Sequence, residues 1–182
     1  KGINVTIAKE PFAGGGEGNL YAIVEPLSLM NHVAKIYHDH KRTEERRQKI
    51  NYLAQYPPEE LFTDDAEQPS IVWVEDALYD EHKFVGFIMP FTSGEKLEIL
   101  CTTKIPRKLR HAWKRFDYKH SDQALDRRLK LGFNICAAIY KVHSMQRYVL
   151  VDMKPDNIVI QPNGLVSIVD TDSVEVVEDG QS

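Results

Sequence analysis

The feature that most constrains the fold is a polar loop, Asp152 to Asn157, followed by a short hairpin and then by another acidic residue. Two apolar runs rich in β-branched residues, Ile158–Ile160 and Leu165–Val169, flank Pro162–Asn163–Gly164, which is typical of a tight hairpin turn. Because a hairpin reverses the chain, we expect Asp170 to return to the end of the polar loop, where both could reach one metal ion.

The polar residues of this region are the types that phosphoryl transfer from ATP requires. A carboxylate orients the attacking hydroxyl, a cation neutralises the transferred phosphoryl, and hard oxygen ligands hold Mg²⁺. Asp152, Lys154, Asn157 and Asp170 supply these groups in that order. The alternative is a polar surface loop whose acids are unrelated to each other.

A glycine-rich segment near the start of the chain favours phosphate binding, because backbone N–H groups can approach a phosphate where no Cβ intervenes. Gly18 is followed by Asn19 rather than by Lys-Ser/Thr, which excludes a P-loop. A strand, Leu20 to Val24, follows instead of a helix, which excludes a dinucleotide-binding turn. The pattern therefore predicts a strand–loop–strand lid over phosphates, with a flexible surface hairpin as the alternative. The glycines are Gly14, Gly15, Gly16 and Gly18.

Lys35 is unusual because it lies within an apolar predicted strand, 32–37. A lysine in such a strand needs a partner for its charge, and a phosphate together with a carboxylate would supply one. The alternative is a lysine on an edge strand. The next segment, 43–56, lacks Gly and Pro and predicts a helix that ends at Pro57.

The composition argues against several classes of protein. Lysine and arginine total 23 against 27 acidic residues, so the net charge of −4 does not favour binding to nucleic acid. The basic stretch 104–119 predicts a solvated helical face, with an acidic or nucleic-acid partner as the alternative.

Cys101 and Cys136 form no CxxC motif, and neither a leader nor a membrane span is evident, which predicts a cytoplasmic protein. Because the sequence opens on Lys1, we expect it to be part of a longer chain.

Taken together, these motifs resemble the eukaryotic-type protein kinases over nearly the whole chain. The resemblance rests on the glycine-rich loop 13–20, on Val33–Ala34–Lys35, and on Leu150 to Asn157 with Val169–Asp170. It implies an α+β, bilobal protein-kinase-like fold with a five-stranded antiparallel N-lobe carrying one helix. A mostly helical C-lobe, truncated after the metal-binding Asp, would follow. The implied boundaries are an N-lobe at 1–89, a hinge at 90–95 and a partial C-lobe at 96–182.

The resemblance also assigns roles to individual residues. Met89 would be the gatekeeper of the hinge, and adenine would bond to the carbonyl of Pro90 and to the N–H of Thr92. Since proline keeps its carbonyl, Pro90 is compatible with that role. A glutamate of the predicted helix would pair with Lys35, and we choose Glu45, with Glu44 as the reserve. The apolar adenine slot would be formed by Phe12, Leu20, Val33, Val159 and Val169.

More narrowly, the motifs Gly-Gly-Glu-Gly and Asp-Thr-Asp-Ser resemble a bacterial branch whose kinase domains are often coupled to helix-hairpin-helix or phosphatase modules. The sequence departs from the general kinase pattern at Ala13, which replaces the first glycine of the loop, and at two further places. Leu150–Val151 replaces the usual His-Arg, which argues against control by phosphorylation of an activation loop. Thr171–Asp172 replaces Phe-Gly, and Asp172 is interpreted as a solvated loop acid, with an extra metal ligand as the alternative.

The resemblance implies an ATP- and Mg²⁺-dependent Ser/Thr-type protein kinase that acts on a protein hydroxyl. Possible further partners are a phosphatase or another signalling module, with no membrane and no nucleic acid bound through this segment. The alternatives are a nucleotide-binding pseudokinase or scaffold, and a small-molecule kinase.

A long predicted helix, 122–144, carries an apolar stripe at three- and four-residue spacing. No later kinase helices are present to cover it, so we expect downstream chain or a partner to do so. The stripe comprises Leu125, Leu129, Phe133, Cys136, Ala137 and Tyr140.

Overall fold

A computed structural model describes residues 2–58, 68–102 and 104–177. The chain forms two compact units. Unit 1 comprises Lys1–Pro57 and Trp73–Phe91, and unit 2 comprises Pro58–Val72 and Thr92–Ser182.

Unit 1 is built on an antiparallel sheet with the strand order β1-β3-β4-β6-β5, and the short strand β2 also pairs with β3. The sequence predicts a five-stranded sheet with one helix, and the structure shows this path of five strands with β2 as a sixth, short strand. Its strands are β1 (Thr6–Ile7), β2 (Ala13–Gly14), β3 (Gly18–Glu25), β4 (His32–Tyr37), β5 (Asp76–Asp80) and β6 (Lys83–Pro90).

Strand β4 lies in the middle of this sheet and carries its most regular pairing. Ala34 is opposite Tyr21 of β3 and opposite Ile88 of β6. One face of the sheet buries Ile23, Ala34 and Ile88 in a single cluster. Because β4 is paired on both sides, Lys35 is not on an edge strand, which removes that alternative.

The helix of unit 1, α1, spans Glu44–Gln55. Thr43 caps it, since its side chain accepts a hydrogen bond from the Arg46 N–H at 3.2 Å. Ile50 and Leu53 are fully buried beneath the helix, and the indole N–H of Trp73 donates to the Leu53 carbonyl at 2.9 Å. These contacts fix which face of α1 points inward.

The strand that pairs with β6 differs from the sequence-based expectation. From their apolar composition, the runs Ile71–Val74 and Phe84–Met89 are predicted to form a β-hairpin, but β5 (Asp76–Asp80) is the strand that pairs with β6. Residues 71–74 are instead buried core residues, and Ile71 forms an isolated parallel bridge with Ile168 of unit 2. Continuous apolar runs of this kind do not distinguish a paired strand from a buried connecting segment.

In its described residues, unit 2 contains three α-helices and two small antiparallel sheets, with strand orders β10-β9-β7 and β11-β8. The elements are β7 (Glu95–Lys96), α2 (Glu98–Cys101), α3 (Arg110–Trp113), α4 (Ala124–His143), β8 (Tyr148–Val149), β9 (Ile158–Ile160), β10 (Val166–Ile168) and β11 (Glu175–Val176). Over the ranges that the structure describes, the 3₁₀ turns are Leu27–Leu29, Asp39–Lys41, Lys114–Phe116, Pro155–Asn157 and Thr171–Ser173.

The core of unit 2 explains two of the three aromatic residues in the basic stretch 104–119. Trp113 and Phe116 are each 1% exposed and pack with Leu131 and Ile158. The third, Tyr118, is 61% exposed, and the Arg128 guanidinium lies over its ring.

Helix α4 confirms the predicted long helix and leaves its apolar stripe exposed. Leu129, Phe133 and Tyr140 are 65%, 73% and 72% exposed, whereas the opposite face buries Leu131 and Val142. Within the described ranges, none of the helices is both long and apolar enough to cross a bilayer. Cys101 and Cys136 are free thiols.

Candidate functional site

The loop between β8 and β9 holds the carboxylate of Asp152 in a defined position. The Lys154 ammonium donates to Asp152 Oδ2 at 2.6 Å, and the Asn157 side-chain amide donates to the same oxygen at 3.1 Å. The Asn157 amide also donates to the Asp152 backbone carbonyl at 2.9 Å. Three of the predicted site residues therefore form one hydrogen-bonded group.

These contacts keep Asp152 ionised. The hydrogen bond from Lys154 is the largest cause and lowers the pKa of the Asp152 carboxyl. Desolvation opposes this effect, and the smaller contribution of the Asn157 hydrogen bond lowers the pKa further. In return, the Asp152 carboxylate raises the pKa of the Lys154 ammonium. At neutral pH the pair is an exposed carboxylate beside an exposed cation.

The hairpin β9–β10 brings Asp170 back to the end of this loop, as the sequence predicts. Ile168 is opposite Ile158, and the Val169 N–H donates to the Asn157 carbonyl at 2.9 Å. Asp170 is thus the residue directly after the one bonded to Asn157. Its backbone is left-handed, with φ 63° and ψ 37°, which is uncommon outside glycine and tolerated best by Asp and Asn.

Asp172 differs from the sequence-based expectation. It was interpreted as a solvated loop acid, but it is only 7% exposed. A carboxylate oxygen of Asp172 and one of Asp170 lie within 4.8 Å of each other. The turn that holds them is fixed by the buried Thr171 hydroxyl, which donates to the Val72 carbonyl at 2.6 Å.

The donor set at this end of unit 2 fits a hard divalent cation. Asn157 turns its amide nitrogen to Asp152, so its side-chain oxygen is the atom available as a ligand. Asp170 and Asp172 add carboxylate oxygens, and Mg²⁺ prefers such oxygen ligands.

The glycine-rich loop of unit 1 is a hairpin between two strands, as predicted. The Gly15 N–H donates to the Gly18 carbonyl at 3.0 Å, and Ala13 and Gly14 pair with Leu20 and Asn19. A Cβ at Gly18 would collide with the carbonyl of Ile36, so the close approach of β3 to β4 requires a glycine there.

Lys35 points into unit 1 beside the glycine-rich loop. Its side chain is 9% exposed, and its ammonium lies 3.9 Å from Glu17 Oε2. The other oxygen, Glu17 Oε1, accepts a hydrogen bond from Arg46 of α1 at 2.8 Å. One carboxylate therefore lies against two cations from two different elements.

The structure does not bring the predicted partner, Glu45, to Lys35. Glu45 is exposed, and the reserve, Glu44, pairs with Arg47. The reason is helical phase. Ile50 and Leu53 define the buried face of α1, and Arg46 lies four residues before Ile50 on that face, whereas Glu45 is one position off it.

Glu17 and Arg46 were therefore missed in the sequence-based assignment of roles. Glu17 stood in the glycine motif without an assigned function. Arg46 lies four residues before Ile50 and seven before Leu53. This helical spacing places Arg46 on the same face as the two apolar residues and could have identified it.

The predicted adenine-binding residues are distributed over both units. In unit 1, Val33 is opposite Met89 on β6, and the Phe12 N–H donates to the Leu20 carbonyl at 3.0 Å. Pro90 ends β6, opposite His32. In unit 2, the Thr92 hydroxyl donates to Ser167 Oγ at 3.0 Å, Val159 lies in β9, and Val169 directly follows β10.

Comparisons with known proteins define the fold. No protein-family model and no curated protein matches the sequence. Among 1522 chains of known structure that match is the crystal structure of Rad53 1-466 in complex with AMP-PNP, with a TM-score of 0.57 at 21% sequence identity. The alignment covers 92% of this chain but 38% of that one. The chain therefore has a protein-kinase-like fold.

Proposed function

We propose that this chain is an ATP- and Mg²⁺-dependent phosphotransferase of the Ser/Thr protein kinase type. The observation that carries the proposal is the group formed by Asp152, Lys154 and Asn157, in which one ionised carboxylate receives two hydrogen bonds. The kinase-like fold is consistent with this chemistry, and the Rad53 structure was solved with a nucleotide analogue.

In this proposal Asp152 accepts the proton of the attacking hydroxyl and orients that hydroxyl for in-line attack. Lys154 holds Asp152 through a short charge-assisted hydrogen bond and adds positive charge where the phosphoryl group is transferred. Lysine at this position, two residues after the carboxylate, favours a protein hydroxyl as the acceptor over a small molecule.

Asn157 and Asp170 are the proposed metal ligands, and Asp172 is added as a third oxygen donor because it is buried beside Asp170. A bound Mg²⁺ would neutralise phosphate charge. Lys35 is the proposed contact to the α- and β-phosphates, beneath the glycine-rich loop 14–18.

We also propose that adenine is held by the backbone of Pro90 and Thr92, with Phe12, Leu20, Val33, Val159 and Val169 as its apolar contacts and Met89 as the gatekeeper. The natural acceptor would be a protein Ser or Thr, in the cytoplasm of a bacterium. A phosphatase or a second signalling module would be the further partner.

Transfer of label from γ-³²P-ATP to a generic acceptor such as myelin basic protein tests the proposal. We expect Mg²⁺-dependent transfer by the wild type and a loss of about 10²- to 10⁴-fold in Asp152→Asn, since that is the usual contribution of a positioned base. Asp156→Asn is the matched control in the same loop. Asp156 lies 3.8 Å from Lys96 and is assigned no part in the reaction, so transfer should be unchanged.

The second candidate function is a nucleotide-binding pseudokinase. It is favoured by Glu17, whose carboxylate lies where a phosphate would meet Lys35, and by the replacement of Phe-Gly with Thr171–Asp172. Tight binding of ATP with no transfer in the complete natural protein would establish this alternative. Transfer to a small molecule but to no protein acceptor would instead indicate a small-molecule kinase.

A further inference from the structure

We infer that Arg46 is a second phosphate-binding cation, and that the Glu17 carboxylate occupies the position of a phosphate between Arg46 and Lys35 when no nucleotide is bound. This inference rests on the proposed binding of ATP and concerns residues of unit 1 alone. It adds two residues to the nucleotide site and gives each a defined role.

The first observation is the bridging geometry of Glu17. One carboxylate oxygen lies 2.8 Å from the Arg46 guanidinium, and the other lies 3.9 Å from the Lys35 ammonium. A phosphate group presents pairs of anionic oxygens in a similar way and carries more charge. Guanidinium groups bind phosphates through two parallel hydrogen bonds, so Arg46 is well suited to this ligand.

The second observation is that the two cations face the same ring. The Arg46 guanidinium carbon lies 4.6 Å from the centroid of the Tyr37 ring, and the Lys35 ammonium lies 5.7 Å from it. Cation–π contacts hold each group in place without consuming its charge. The ring therefore positions two like charges close together, which is favourable only with an anion beside them.

The third observation is that Glu17 can leave while its backbone stays. Its carbonyl accepts a hydrogen bond from the His38 N–H at 2.9 Å, which fixes the end of the loop to the residue that follows β4. The side chain is 39% exposed, so rotation of its own torsions can move the carboxylate into solvent. An incoming phosphate would then exchange one anion for another at Lys35 and Arg46.

The orientation of Arg46 is set by the fold. The Thr43 hydroxyl accepts a hydrogen bond from the Arg46 N–H, and burial of Ile50 and Leu53 turns this face of α1 inward. The adjacent Arg47 points away and pairs with Glu44 on the exposed surface. The chain thus offers a matched control of the same residue type in the same helical turn.

The test compares the affinities of ADP and adenosine, measured by calorimetry or NMR titration in EDTA so that no metal contributes. The ratio of the ADP affinity to the adenosine affinity measures how much the phosphates contribute to binding. We expect Arg46→Gln to lower this ratio about tenfold or more, as loss of a charge-assisted contact does, while Arg47→Gln leaves it unchanged. Arg46→Lys should retain part of the ratio, and adenosine affinity should stay at the wild-type value.

Glu17→Gln tests the second half of the inference. Removing the competing charge should tighten ADP binding by about three- to tenfold and leave adenosine binding unchanged. Weaker ADP binding in Glu17→Gln would overturn the placeholder role. If Arg46→Gln lowers the melting temperature strongly, Arg46→Lys and Glu17→Gln decide the question without it.

The outcomes separate this inference from the proposed function. A wild type that binds ADP no better than adenosine would overturn both. A wild type that prefers ADP, with the preference unchanged in Arg46→Gln, would overturn the inference alone and leave Arg46 as a structural link between α1 and the glycine-rich loop.

Discussion

At the scale of single residues, the proposed chemistry depends on a few groups whose charge is fixed by their neighbours. The sequence alone predicts Asp152, Lys154, Asn157 and Asp170 as one group, because their spacing is set by one loop and one short hairpin. It did not identify the burial of Asp172, which depends on the buried Thr171 hydroxyl and on Val72, about a hundred residues earlier in the chain. Contacts of such long range leave no periodic signal in the local sequence.

The Asp152 carboxyl should titrate below the ordinary value for an aspartate, which is about 4. Its pKa is lowered chiefly by the hydrogen bond from Lys154, so Lys154→Met should raise it towards the ordinary value. A ¹³C NMR titration of the side-chain carboxyl measures the Asp152 pKa in the wild type and in Lys154→Met.

The sign of the linked effect on stability follows. Because the folded-state pKa is lower than the unfolded one, the ionised carboxylate stabilises the fold above about pH 4 and loses this effect as the pH falls through the folded value. An Asp152 pKa that is the same in the wild type and in Lys154→Met would contradict this account.

At the scale of elements, strands with two-residue alternation and helices with clear caps were predictable from the sequence. Which strands pair and which side chains meet was less predictable. The sequence placed β4 and α1 almost to the residue, because an apolar strand and a Pro-terminated helix each have strong local signals. It assigned the wrong partner to β6, because residues 71–74 have strand-like composition but are used as buried core. It also led to the choice of Glu45 rather than Arg46. Neighbouring residues of a helix are rotated by about 100° from each other, so Glu45 lies off the face that carries Arg46.

The close approach of β6 to β4 predicts a large effect at Gly86. Gly86 is opposite Ile36, and a Cβ there would collide with the Lys35 carbonyl oxygen. We expect Gly86→Ala to lower the free energy of unfolding by about 1 to 3 kcal/mol, as overpacking does.

The matched control is Gly132 in α4, where a Cβ meets no atom within 4 Å. Because alanine is the better helix former, Gly132→Ala should raise the free energy of unfolding by up to about 1 kcal/mol. Urea unfolding monitored by circular dichroism measures both variants. Equal effects of the two substitutions would show that the strand contact is not as close as described.

At the scale of the whole molecule, the order of motifs along the chain was enough to predict the α+β, kinase-like fold. Five motifs in a fixed order constrain topology far more than any one of them, and the likeness to Rad53 over 92% of the chain agrees with that order. The apolar stripe of α4 was also predicted from its spacing, and the structure leaves it exposed, whereas the contact of Thr171 with Val72 is evident only in three dimensions.

We propose that Lys35 and Asp170 each contribute to the binding of Mg·ATP, and the affinity of Mg·ATP for the intact chain tests this most directly. Calorimetry should show Mg·ATP binding by the wild type and by Asp156→Asn. Affinity should be at least about tenfold weaker in Lys35→Met and in Asp170→Asn, as expected for the loss of a contact to a charged group. Asparagine at 170 keeps the left-handed backbone that this position requires. Asp170→Asn should also lose the gain in affinity that Mg²⁺ confers on ATP. A wild type that does not bind Mg·ATP, or an unchanged affinity in either variant, would contradict the account.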